Sequence, residues 1–204
     1  VRDETWSCLA GLGALGAETW FRLGDRDLAT HLERTRLLKS GSTLTSVTRH
    51  LCGQLGVAVD LKPMADARVR TVLDTDAGTL DFQDYFVRRR AEPVVRAIRY
   101  EGATAAPPVA EFASLLTDPD LGAVFIAPSN PWLSIDPILA IPSLRAALLS
   151  TTAPVIAISP IVGGKAIKGP TAKIMGELGI PVSAAAVARH YGELLDGYIL
   201  DDVD

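Results

Sequence analysis

Cysteine, histidine and aromatic residues are scarce in this 204-residue chain: two cysteines, three histidines and an aromatic share of 6%. Cys8 and Cys52 form no CxxC, so neither a disulfide framework nor a thiolate zinc site has enough to build on. Long apolar runs are missing too. The longest, near Ala123–Ala127 and Pro154–Ile158, are strand-sized and far short of the ~20 residues a bilayer-spanning helix needs. No excess of basic charge is present: 20 Lys and Arg against 24 Asp and Glu leave a net charge of −4, and the pI is near 5.4. That balance is not a nucleic-acid footprint. No basic stretch followed by an apolar one opens the chain, which makes the cytoplasm the expected compartment. What remains, 48% hydrophobic residues with a mean hydropathy of +0.23, is enough to bury one core and too apolar for disorder. The chain starts at Val1 rather than Met and runs out in Leu200–Asp204, which still reads as strand. A piece of a longer protein is expected.

Periodicity divides the rest. Asp27–Lys39 places Leu28, Leu32 and Thr35 on one helical face and stops at Ser40-Gly41. Ser42 reads as the cap of a second helix carrying Leu44, Val47, Leu51 and Leu55, with Gly56 as its terminator. Val57–Leu61 then reads as strand. Arg68–Leu73 and Thr79–Tyr85 alternate around the turn Asp74–Gly78, a hairpin that Glu92–Tyr100 extends. From Pro108 strands and helices alternate: helix Pro108–Thr117, strand Leu121–Ala127, helices Asp136–Ile141 and Pro142–Ser150, strand Val155–Ser159, a glycine-rich loop, helices Pro170–Leu178 and Ser183–Leu195, and strand Tyr198–Leu200. Such βα alternation predicts an α/β fold, a Rossmann-like doubly wound parallel sheet with a helical insert and a small β-hairpin subdomain. Residues 1–107 form the helical and hairpin part and residues 108–204 the βα core. The three late strands should be parallel neighbours, and ligands bind beyond the carboxyl ends of such strands. Pro128–Pro131, Ser159–Gly164 and Asp201-Asp202 occupy those ends.

Four segments carry candidate chemistry, each with a plainer reading beside it. Ser129, Asn130 and Ser134 lie in a strand-to-helix loop where hydroxyls, an amide and free N–H groups suit an anion; Ser134 and Asp136 serve equally as helix caps. In Ser159–Thr171, Gly163 and Gly164 permit close backbone approach to a ligand and Lys165 and Lys168 suit phosphate, although the spacing is neither a Walker A loop nor a GxGxxG fingerprint. A flexible connection with solvated lysines accounts for the same residues. Gly24–His31 gathers Asp25, Arg26, Asp27 and His31 within about two turns, able to hold a metal, a phosphate or a hydroxyl, yet acidic residues are also ordinary at a helix start. Phe82, Asp84 and Tyr85, followed by Arg88-Arg89-Arg90, suit stacking on a flat heterocycle, or form a charged edge that blunts strand pairing. His50 and His190 fall inside helices and read as ordinary.

Taken together, Leu23–His31, Phe82–Pro93, Ala127–Pro131 with Ser134–Leu139, and Ser159–Gly164 with Gly169-Pro170 and Lys173 resemble the 2-phospho-L-lactate transferase family of coenzyme F-420 biosynthesis, in the family's order and over nearly the whole chain. The resemblance implies transfer of a phospholactyl or, in actinobacterial members, phosphoenolpyruvyl group from a guanylylated three-carbon acid to the deazaflavin precursor FO. The terminal ribityl hydroxyl of FO attacks phosphorus, GMP leaves and Mg2+ is required. It further implies Arg22 near the FO acceptor, with residues 1–107 on the acceptor side. Asp25 and Asp27 are then candidates for metal binding or orientation of the attacking hydroxyl, with Arg26, His31 and Asp84 as acceptor contacts. Ser129, Asn130 and Ser134 fall at the phosphate, with Gly163 and Gly164 close by. A homodimer and a cytoplasmic location are implied too. The family's glycine-rich nucleotide loop and acidic Pro-Asp-Leu-Asp stretch are expected upstream of Val1, and an Asp-Thr-Leu-Met segment after Asp204, so residues 1–204 alone are expected to be inactive. The alternative is a nucleotide-sugar-binding regulator of the related gluconeogenesis-factor branch.

Overall fold

The computed structural model describes residues 3–204. Two compact units meet in sequence between Asp66 and Ala67, upstream of the 107/108 division that composition suggested. The first unit contains α1 (Ser7–Ala14), α2 (Asp25–Lys39) and α3 (Leu44–Gln54). α2 has Asp25 and Asp27 in its first turn and Arg36 and Lys39 in its last, both complementary to the helix dipole. α3 is capped by Thr43, whose Oγ1 accepts from Ser46 N at 3.2 Å. The expected cap, Ser42, instead donates its N–H back to Leu37 O. Val57–Leu61 is not a strand. No described strand pairs with it, so its backbone groups have no ladder to complete, and Val59 and Leu61 are exposed.

The second unit opens with β1 (Arg70–Thr75), β2 (Gly78–Asp81) and β3 (Val95–Glu101), an antiparallel sheet in the order β2-β1-β3. β2 ends at Asp81 rather than Tyr85, because the chain coils into a π-helical turn at Asp84–Arg88. There follow α4 (Ala110–Leu116), β4 (Val124–Ile126), a π-helical turn at Pro131–Ile135, α5 (Asp136–Leu139), α6 (Pro142–Ser150) and β5 (Val155–Ile158). A two-stranded ribbon, β6 (Ile161–Val162) and β7 (Lys165–Ala166), replaces the expected open loop, and α7 (Thr171–Glu177), α8 (Ala184–Tyr191) and β8 (Gly197–Ile199) complete the unit. β4, β5 and β8 are parallel neighbours in that order, as the alternating pattern required. The fold is α/β.

The core of this unit is formed by Leu73, Val95, Ile141, Leu144, Val155, Ile174, Met175 and Val187, all fully or almost fully buried. Polar bonds stitch the antiparallel sheet to α7: Val95 N donates to Glu177 Oε2 at 2.9 Å, and Lys173 Nζ donates to Pro93 O at 2.8 Å while pairing with Glu177. No single described helix is long and apolar enough to cross a membrane.

Tyr85 is fully buried, and its hydroxyl has no partner among the described residues. Burial, aided by the Glu177 charge, pushes its pKa up to about 12. A tyrosine whose folded pKa lies above the ordinary 10 stabilises fully below that value, and the contribution is lost as pH rises from 10 through 12. Alkaline unfolding followed by circular dichroism should therefore begin in that window. Tyr85→Phe removes the orphan hydroxyl and should move the transition to higher pH, with a gain of about 1 kcal/mol at neutral pH.

Candidate functional site

Beyond the carboxyl end of β4 the chain turns sharply, Ser129 N donating to Ala127 O at 2.7 Å. Asn130 then starts the Pro131–Ile135 turn: its Oδ1 accepts from Leu133 N at 3.1 Å and its carbonyl from Ser134 N at 2.9 Å. Pro131 fits the first position because its absent N–H would have had no helical partner. One end of the Asn130 amide is thus spent on a cap. The other, Nδ2, is shielded from solvent and finds no acceptor among the described residues, an arrangement that costs free energy unless an acceptor arrives.

Ser129, Asn130 and Ser134 line one cavity of about 450 Å³. Phe82 and Phe86, one helical turn apart, line it too, their rings stacked at 5.4 Å and 12°. Pro160, at the end of β5, and Ile167–Thr171, entering α7, complete the wall and bring in Lys168. The lining thus combines a stacked aromatic pair with two hydroxyls, an amide and one cation. Such a cavity suits a flat ligand that carries an anion.

A second polar cluster fixes the back of the Asn130 turn. Tyr100 OH, on β3, donates to Trp132 O at 2.6 Å and approaches Asp136 Oδ2 at 3.3 Å. His190, on α8, brings Nε2 within 2.9 and 3.0 Å of the two Asp136 oxygens and packs its ring 5.0 Å from that of Trp132. Burial first, then the Asp136 charge, pushes Tyr100 far above the ordinary tyrosine range, so it stays a donor. Sequence reasoning missed this cluster: Tyr100, Asp136 and His190 lie on separate elements with no shared spacing.

The other nominated residues have different surroundings. Gly163 and Gly164, with φ of 54° and 69°, form the two-residue turn between the paired β6 and β7, where two positive φ values favour glycine. Gly163 N donates to Asp204 Oδ1 at 3.0 Å. Neither glycine lines the cavity; their positive φ values serve the turn between β6 and β7. Asp84 lies outside the cavity lining as well; its carboxylate holds its own turn, accepting from Arg89 Nε at 3.1 Å with Arg88 at 4.0 Å.

Arg22, Asp25, Arg26, Asp27 and His31 belong to the first unit. The Arg22 guanidinium lies 4.9 Å from the Trp6 ring centre. Asp25 caps α1, accepting from Thr5 Oγ1 at 2.6 Å, Ser7 N at 3.1 Å and Cys8 N at 3.0 Å. These bonds, the one from Thr5 foremost, hold its pKa below the ordinary aspartate range. In return Glu4 Oε1 accepts from Arg26 N at 3.1 Å in the first turn of α2. Each helix start is capped by a carboxylate next to the other. Both Asp25 oxygens are spent on this lock, Asp27 and His31 are exposed, and no group of three His, Cys, Asp or Glu among the described residues could hold a metal ion. Asp25 is thus held by the helix lock, and with Asp27 it completes no Mg2+ ligand set among the described residues. Gly24 leaves room for the lock, since a Cβ on it would fall 2.2 Å from Glu4 Cγ and Cδ. Gly24→Ala should displace Glu4 and cost about 1–2 kcal/mol, the scale of a lost cap, read as a lower melting temperature with the fold retained.

With this geometry in hand, the comparisons with known proteins are specific. The family model described as "2-phospho-L-lactate transferase CofD" matches residues 9–204. A Streptomyces griseus protein named phosphoenolpyruvate transferase is 41% identical over 208 residues, covering 99% of this chain and 65% of its own. One of the same name from Mycobacterium avium is 39% identical over 207 residues, covering 98% of this chain and 61% of its own. The chain thus spans a little under two thirds of the length of these relatives. A crystal structure of a UPF0052-family protein from Bacillus halodurans has a TM-score of 0.52 at 15% identity, over 83% of this chain and 64% of that one, a likeness of fold. The chain belongs to the 2-phospho-L-lactate transferase family.

Proposed function

We propose that the protein of which this chain is part transfers a phospholactyl or phosphoenolpyruvyl group from a guanylylated three-carbon acid to FO, in coenzyme F-420 biosynthesis, with release of GMP. Membership of the family supports the reaction class, and the relatives' printed names favour the enolpyruvyl donor. The observation in the fold that carries the reading is the cavity itself, which a stacked aromatic pair lines together with an amide that has an unused, buried donor. Phosphoryl transfer asks a protein mainly for positioning and charge neutralisation. Phe82 and Phe86 hold the flat deazaflavin. Asn130 Nδ2 donates to a non-bridging phosphoryl oxygen as charge builds there, and Ser129, Ser134 and Lys168 hold the remaining oxygens. The ribityl hydroxyl forms the new P–O bond and passes its proton to water as the bond to GMP breaks and GMP departs with the bonding electron pair. Mg2+, which the resemblance implies, has no ligand set among the described residues, and no step is assigned to it.

The test is to incubate the complete chain with FO and the guanylylated acid and to follow GMP and the FO adduct by mass. Stoichiometric GMP and adduct are expected. Binding of a UDP-sugar with no adduct formed would replace this reading with that of the nucleotide-sugar regulator.

A further inference from the structure

Phe86 is shared by two hollows. The second, more open, adjoins the cavity through Phe86, Gly169 and Pro170 and is lined also by Arg90, Ala91 and Lys173. It carries two cations and no carboxylate in its lining. Its wall contains the one pair of consecutive non-glycine residues with left-handed φ among the described residues, Arg90 at 50° and Ala91 at 55°. A side chain makes that conformation costly, and such strain persists where the surroundings force it, commonly at ligand clamps. Here the forcing contacts are visible. Ala91 N donates to Tyr85 O at 2.8 Å and Glu92 N to Arg89 O at 2.9 Å, and Ala91 is buried. Glycine at position 90 would satisfy the same backbone without strain, yet the chain has arginine there. Arg90 is exposed, whereas Lys173 is held in place by Pro93 O and Glu177. One fixed ammonium and one open guanidinium fork suit a planar carboxylate.

We propose that Arg90 and Lys173 form an anion subsite taking the carboxylate of a phosphorylated carboxylic acid whose phosphate lies in the adjoining cavity at Asn130. The assignment of the acid rests on the transfer reaction proposed above; the subsite itself rests on the strained arginine. The left-handed pair directs Arg90 to the hollow's rim, and its strain is the cost of placing a guanidinium there. The subsite distinguishes an acid with both groups from phosphate alone.

The complete chain and its Arg90→Gly and Arg90→Lys variants should be compared by thermal melting and by calorimetric titration with phosphoenolpyruvate, inorganic phosphate and pyruvate. Arg90→Gly should melt no lower than the parent, because strain is relieved, while binding phosphoenolpyruvate at least about tenfold more weakly, the scale of a lost charged hydrogen-bond pair. Its affinity for inorganic phosphate should not change, and Arg90→Lys should fall between. A parent that binds phosphoenolpyruvate no better than phosphate, an Arg90→Gly variant with unchanged phosphoenolpyruvate affinity, or one that melts lower would each overturn the proposal. These titrations need no turnover. Absence of transfer by the parent would therefore count against the reaction and leave the subsite to be decided by binding. Transfer with a donor KM unaffected by Arg90→Gly would count against the subsite alone.

Discussion

Asn130→Ala in the complete chain should lower turnover by ~10²-fold or more, the effect of losing one donor that meets charge developing in the transition state. Asn130 does two jobs with one amide: Oδ1 caps the turn through Leu133 N, and Nδ2 is the buried donor without a partner. Alanine removes both, and the lost cap should lower stability by about 1 kcal/mol. Asn130→Asp separates them. An aspartate keeps the capping oxygen and has no N–H to offer, so the melting temperature should hold while turnover falls as far as in the alanine variant. If turnover per folded molecule stays at the parent level in both variants, Asn130 is a capping residue and nothing more.

Asp136→Ala should cost about 1–3 kcal/mol, because it takes the carboxylate away from His190 and from beside the Tyr100 hydroxyl at once. The Asp136 carboxylate faces His190 at 2.9 Å with only 16% of the side chain exposed, and it also lies beside the Tyr100 hydroxyl. Those contacts join β3, the Pro131–Ile135 turn and α8, so their loss should loosen the turn that presents Asn130 and Ser134. Turnover should fall alongside stability. Asp136→Asn keeps an oxygen facing His190 and beside the Tyr100 hydroxyl, which donates to Trp132 O, and should recover most of each. Equal loss in the two variants, measured by melting and steady-state rates, would mean that charge and not hydrogen bonding holds the cluster.

Local order was legible where one element's own pattern decided it. The βα alternation after Pro108 located all three parallel strands, and the strand-exit rule led to Ser129, Asn130 and Ser134, which the fold gathers around one cavity. Reading failed where a partner decided. Val57–Leu61 has strand composition and no described strand to pair with. The antiparallel ribbon that turns at Gly163 and Gly164 rests on the pairing of Val162 with Lys165, which the glycine-rich composition does not reveal. The capping role of Asp25 is not visible in local spacing, because its donors sit at Thr5, Ser7 and Cys8, on the far side of a loop. His190 looked ordinary because its partner lies 54 residues away. The left-handed Arg90-Ala91 pair has no compositional signature, since neither residue is one that favours that backbone.

The central claim is that the cavity between the Phe82–Phe86 pair and the Asn130 turn is where the reacting ligands lie. The direct measurement is a crystal structure of the complete protein with FO and a non-transferable analogue of the guanylylated acid. The account predicts the deazaflavin ring against Phe86 and a phosphoryl oxygen within hydrogen-bond distance of Asn130 Nδ2. Ligand density elsewhere, with Asn130 Nδ2 still without an acceptor and the cavity filled only by water, would contradict it.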